Sequence, residues 1–268
     1  MSATTNTAVL LLRLAGPLQS WGDSSRFNRR ETRAEPTKSG VIGLLAAAQG
    51  RDRAADLTDL TGLTMAVRTD QPGTLLRDFH TVSDYRGVPL KQTGVNAKGI
   101  QKPTGPAKYT HVTYRYYLQD AVFVVGLAGS RDLIAELATS IRRPAYPLAL
   151  GRRSCPPTQP ILLGDDTADL LHAVTAPPWQ ASDRGRARYL RGTKPATVDL
   201  TVSIDDPAGG ESRNDVPVSF GLRDRQFRQR RVRHTSVRIP TGITDPDPIS
   251  PDSGSVAVGH DPFSLLDW

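Results

Sequence analysis

The sequence holds one cysteine, Cys155, so it can form no intramolecular disulfide framework. Long apolar runs are also missing. None approaches the ~18 residues that a membrane-spanning helix needs, and the longest, Ala8–Leu12, has the length of a buried strand. Met1–Arg13 lacks the basic start and small-residue cleavage site of a secretory leader. From these absences we expect a cytoplasmic protein with no membrane association. Neither a phosphate-binding P-loop nor a serine nucleophile elbow occurs. His80, His111, His172, His234 and His260 are scattered without ligand spacing, and there is no dense acidic cluster. We therefore expect no metal and no other cofactor.

Positive charge is abundant. The formal net charge is +7, and Thr241–Trp268 carries five Asp and no Lys or Arg, so the first 240 residues hold +12. A body that basic attracts polyanions, although charge alone also serves solubility. Six arginines within Arg223–Arg233, against one aspartate, favour nucleic acid.

Apolar spacing predicts a strand at Val9–Leu14, then a Gly/Pro/Trp turn and a charged loop to Pro36. A helix should start at Lys38, with Val41, Leu44, Leu45 and Ala48 on one face, a cap from Thr37 or Ser39, and Gly50 at its end. Further strands are expected at Leu63–Thr69, Leu75–Val82, Val112–Leu118 and Ala121–Leu127. A second helix spans Arg131–Ile141, with Ser130 as its cap, and Tyr146–Leu150 reads as a closing strand. The 29 residues Ser83–His111 contain four Gly, three Pro and one acid, a loop of functional length.

Without that insert, the order is β-α-β-β-α-β, the ferredoxin-like arrangement shared by RNA-recognition domains. The expected fold is therefore α+β: a ferredoxin-like palm over 1–164 with a thumb insert at 83–111, and a small β-rich region over 165–240. An acidic, Pro-rich tail over 241–268 completes the chain. In the β-rich region, Tyr189–Ile204 and Val216–Ile239 read as extended around an acidic Gly/Pro loop.

Some residues are candidates on chemistry alone. Lys38-Ser39-Gly40 offers free N–H groups, a positive dipole end and a lysine to a phosphate, although many such starts bind only water. Arg152 and Arg153, placed after the expected closing strand, present planar forks suited to bidentate phosphate contacts; the alternative is a solvated turn or local ion pairs. Their loss is expected to weaken anion binding and to leave stability nearly unchanged. Cys155 is either a thiolate beside two arginines or a small buried filler. His80 and His111 flank the insert, with Lys108, Tyr109 and Tyr114 near the second. Such a set suits metal-free RNA cleavage, or gripping RNA without chemistry.

Several segments together resemble one family. Leu12–Gly22 (LRLAGPLQSWG), Pro36–Ala46 (PTKSGVIGLLA), Asp78–Val82, Tyr117–Ala121, Leu150–Pro156 (LGRRSCP) and Arg225-Gln226-Phe227 are similar, in order and spacing, to the CasD family. That family supplies the subunit of the type I-E CRISPR Cascade complex that binds the guide-RNA handle. The resemblance implies an antiviral RNA-binding subunit with no catalytic role. Its palm would hold the 5′ handle of the crRNA. Its thumb would pack on the adjacent backbone subunit, with the large subunit as a further partner and target DNA reached only through the complex. RNA contacts are then expected from Arg13, Gln19, Trp21, Lys38, Ser39, Gly40, His80, Lys91, Lys98, Lys108, His111, Arg115, Arg152, Arg153, Ser154, Arg225, Gln226 and Phe227. A related branch cleaves precursor RNA with adjacent Lys and His. Here two residues separate Lys108 from His111, so metal-independent endoribonuclease activity is the alternative.

Overall fold

In a computed structural model, residues 7–23, 28–84, 97–98, 109–166, 169–191, 195–221 and 223–242 are described. The chain opens with β1 (Thr7–Ala15), β2 (Leu18–Gln19) and β3 (Arg29–Arg30), followed by α1 (Lys38–Ala48), α2 (Thr58–Thr61) and β4 (Thr64–Gln71). It continues through β5 (Thr74–Asp84), β6 (Tyr109–Gln119), β7 (Val122–Ser130), α3 (Arg131–Arg142), β8 (Leu162–Asp166), α4 (Leu170–Thr175) and α5 (Asp183–Tyr189). Three strands end it: β9 (Thr197–Asp205), β10 (Glu211–Ser219) and β11 (Gln226–Pro240).

β1 is apolar at successive positions because both its faces are covered. Ala8, Leu10, Leu12 and Leu14 join the larger core with Val41, Ile42 and Leu45 of α1 and Ile134, Leu137 and Ile141 of α3. Val9 and Leu11 point the other way, against Leu170, Ala173 and Val174 of α4. Thr37 caps α1 as expected, accepting a bond from the Gly40 N–H at 3.3 Å. Ser130 precedes α3, but its side chain makes no capping bond.

The main sheet is antiparallel, ordered β10-β11-β9-β4-β7-β1-β8. Its β8-β1-β7-β4 part carries α1 and α3 on one face. The strands expected at Val9–Leu14, Leu63–Thr69, Leu75–Val82, Val112–Leu118 and Ala121–Leu127 are present, as β1, β4, β5, β6 and β7. The closing strand lies elsewhere. Tyr146–Leu150 is irregular, and β8, Leu162–Asp166, pairs with β1 instead. Pro144 and Pro147 remove backbone donors at and within that stretch, and Tyr146 is exposed. Downstream, the extended structure begins at Thr197 rather than Tyr189, which ends α5. β9 pairs with β4, so the C-terminal strands continue the main sheet.

One buried ion pair locks the second face. Arg68, fully buried on β4, forks onto Asp70 at 2.7 and 2.8 Å. It also donates to the carbonyls of Val174, Thr175, Pro177 and Pro178, fixing the exit of α4.

Candidate nucleic-acid interface

The conserved-looking Gln-Ser-Trp and Gly-Arg-Arg segments meet at one place, around buried Trp21. Its indole N–H donates to Gln19 Oε1 at 3.0 Å, and the Gln19 amide donates to the carbonyls of Leu14 and Ala121 at 3.0 and 2.7 Å. Gly40 lies against this indole, since an added Cβ would sit 2.7 Å from its ring. Gly151, at φ +87, presses on the Ser20 carbonyl, where a Cβ would come within 1.9 Å. Two glycines thus allow α1 and the 151–154 turn to close on the same tryptophan.

Arg152 completes this hub. It donates to Tyr116 O at 3.1 Å, to Arg30 O at 2.7 Å and to Glu31 O at 3.3 Å, and its guanidinium lies 4.8 Å from the Tyr117 ring centre. Its fork is used on the protein's own carbonyls. The expectation of two free guanidinium groups at this turn holds for exposed Arg153 and not for Arg152. Burial pushes the Cys155 thiol up despite Arg152 nearby, which fits the buried-filler reading.

Above the hub, β5 and β6 form a long hairpin with Thr74 opposite Gln119 and Asp84 opposite Tyr109. Directly opposed residues share a face. One face carries Leu75, Arg77 and Phe79 across from Leu118, Tyr116 and Tyr114. Phe79 is 62% exposed, Tyr114 39% and Leu75 65%. Phe79 meets Tyr114 edge to face at 5.9 Å. Arg77 lies 5.6 Å from the Tyr114 ring centre, and Arg29 of β3 lies 5.1 Å from that of Tyr116. Exposed rings interleaved with guanidinium groups form a surface on which unpaired bases stack while the cations meet phosphates.

The start of α1 is filled from within. Lys38 is 5% exposed. Its backbone N–H donates to Asp215 at 2.8 Å and its Nζ to Asp205 at 2.9 Å. Arg230 donates to Asp215 at 2.6 and 2.8 Å and also contacts Asp205. Burial raises the Asp215 pKa, but the Arg230 bonds outweigh it and hold the carboxyl below its ordinary value. Asp215 occupies the position in which a phosphate was expected at Lys38-Ser39-Gly40. Carboxylate and phosphate compete for the same dipole end.

The arginine cluster divides by strand alternation. Arg230 points inward, Arg231 donates to Gly209 O, and Arg233 pairs with Asp206 at 2.8 Å. Arg223, Arg225 and Arg228 are exposed, with Arg225 5.3 Å from the Phe227 ring centre.

Of the other expected contact residues, Gln226 and Ser154 are exposed, Phe227 is half-buried, and Arg13 donates to Gln180 at 3.2 Å. Gln19, Trp21 and Ser39 are buried. His80 and Arg115 lie on the hairpin face opposite the aromatic one, opposed to Thr113 and Asp78. His80 Nδ1 is 3.2 Å from Thr113 Oγ1. Lys98 is exposed. Lys91, Lys108 and the His111 side chain lie outside the described residues. Arg29, Arg77, Phe79 and Tyr116 were absent from the sequence-based set, and Tyr114 entered it only beside the cleavage alternative. Reading β5 and β6 by parity places all but Arg29 on one face.

The family described as CRISPR-associated protein (Cas_Cas5) matches residues 9–233. The CRISPR system Cascade subunit CasD of Escherichia coli (strain K12) is 39% identical over 173 residues, covering 58% of this chain and 70% of its own. A solved chain of a CRISPR RNA-guided surveillance complex is 34% identical, with a TM-score of 0.69, and the match covers 87% of this chain and 91% of that one. A crystal structure of a Cas protein is 36% identical, with a TM-score of 0.61, over 87% and 95% of the two chains.

Proposed function

The chain belongs to the CRISPR-associated Cas5 family, and on that premise we propose that it grips the 5′ handle of the crRNA as the CasD subunit of a type I-E Cascade surveillance complex. The β8-β1-β7-β4 order with α1 and α3 on one face supports a ferredoxin-like palm of the RNA-recognition kind. The β5–β6 hairpin supports the base of a thumb whose further part, in 85–108, would reach the neighbouring backbone subunit. The large subunit and target DNA are met through the assembled complex. The role is one of binding: Lys108 and His111 are two residues apart, and His80 sits beside a threonine on the face away from the aromatic ladder.

The observation that carries this reading is the exposed Arg77–Phe79–Tyr114–Tyr116 face with Arg29 beside it. Stacking contributes about 1–3 kcal/mol per base. Phe79→Ala/Tyr114→Ala should therefore lower handle-RNA affinity by roughly tenfold or more, with the melting temperature unchanged. Wild-type affinity in the double variant would remove this face from the RNA path. The same protein should leave repeat RNA intact in EDTA and in magnesium. Cleavage at a single site, lost in His80→Ala or His111→Ala, would replace the binding role with an enzymatic one.

A further inference from the structure

Helix α5 presents a row of arginines that the proposed function leaves unused. Arg184 and Arg188 are four residues apart and so share a face. Both are exposed, as is Arg191 just beyond the helix, and none has a hydrogen-bonded or ionic partner among the described residues. Arg186, between them, is different: it turns inward, donating to Ala181 O at 3.0 Å and to Trp179 O, and lies 5.8 Å from the Trp179 ring centre. That anchoring fixes which way the outer arginines face.

A second observation concerns the end of β11. The Thr241 N–H donates to Ala196 O at 2.9 Å, and its hydroxyl donates to Pro195 O at 2.8 Å. The chain after Thr241 thus starts beside Pro195, four residues beyond Arg191. Asp245 follows four residues after Thr241, then Asp247 and Asp252, with no Lys or Arg in that stretch. At ~3.3–3.6 Å per residue, each arm reaches about 14 Å from the shared anchor. Opposite charges tethered at one point meet at high effective concentration.

We propose that the acidic segment 243–252 docks on the Arg184–Arg188–Arg191 row of α5 and closes this cationic surface to other polyanions. The occupant is a part of this same chain, selected by charge and by the Thr241 anchor. The family match ends at residue 233, before the acidic segment.

The test labels the full chain with phenylglyoxal and maps the modified arginines by mass spectrometry. At about 0.01 M salt, where the Debye length is ~30 Å, Arg184, Arg188 and Arg191 should react several-fold more slowly in the wild type than in Asp245→Asn/Asp247→Asn/Asp252→Asn. The difference should vanish at about 1 M salt, where the Debye length is ~3 Å. Exposed Arg53, on a different part of the chain, should react equally in both proteins. Equal labelling of the α5 arginines in wild type and variant would overturn the proposal. So would slow labelling that appears only when RNA is added, which would assign the row to nucleic acid. No RNA enters the primary comparison, so it stands or falls independently of handle binding.

Discussion

Arg152 donates to the Tyr116, Arg30 and Glu31 carbonyls, which joins the base of the hairpin to β3. Bonds from a charged donor contribute about 1.5–3 kcal/mol each, less where exposed. Arg152→Ala should therefore destabilise the protein by about 2–3 kcal/mol in urea unfolding, and Arg152→Lys should recover little because an ammonium cannot span three carbonyls. Arg153→Ala should leave stability within about 0.5 kcal/mol. Equal stability of Arg152→Ala and wild type would show these bonds to be dispensable. Nothing in Gly-Arg-Arg-Ser distinguishes the two arginines. The distinction depends on the Gly151 turn, which aims one guanidinium at carbonyls over a hundred residues earlier in part. Lys38 was equally opaque: its burial comes from Asp205 and Asp215, acids far away in sequence.

Among the elements, those with a single clear pattern were legible. β1 reads as a strand covered on both faces because its alternation is suppressed, and α1 because Thr37 and the apolar spacing agree. β8 escaped notice, since Leu162–Asp166 contains a glycine and two acids while Tyr146–Leu150 looks more strand-like. The two hairpin strands were legible as extended, but their useful face was not, because charge drew attention to His80 and Arg115 and away from residue parity. A pH dependence belongs to β10 and β11. Glu211 accepts bonds from Arg213 at 2.9 and 3.0 Å and lies 2.7 Å from His234, which lowers its pKa from 4.5 to about 2. A carboxyl depressed on folding stabilises above its unfolded pKa and loses that contribution as pH falls toward the folded one. The stability gap between wild type and Glu211→Gln should be constant above about pH 4.5 and shrink between there and about pH 2. A gap that stays flat across that window would mean that the pair adds nothing to folding. Partial exposure keeps the gap small.

At the scale of the whole molecule, the basic excess is partly spent inside: Lys38, Arg68, Arg213 and Arg230 all answer internal acids. Net charge was legible in the sequence, and its division into internal and external cations was not. If the remaining exposed arginines hold an RNA backbone, log affinity should fall linearly with log salt, by about 0.7 per phosphate neutralised on a single strand. A flat response in a filter-binding titration would contradict backbone gripping. The strand order has another consequence. β1 (Thr7–Ala15) hydrogen-bonds to β7 (Val122–Ser130) and β8 (Leu162–Asp166), neither of which exists when β1 leaves the ribosome. At ~5–20 residues per second, an apolar strand without partners waits on the order of ten seconds for its first neighbour. Contact order this high slows folding and lengthens exposure to aggregation. The nascent chain should therefore depend on a holding chaperone, or on slow translation, until the β7 residues have emerged.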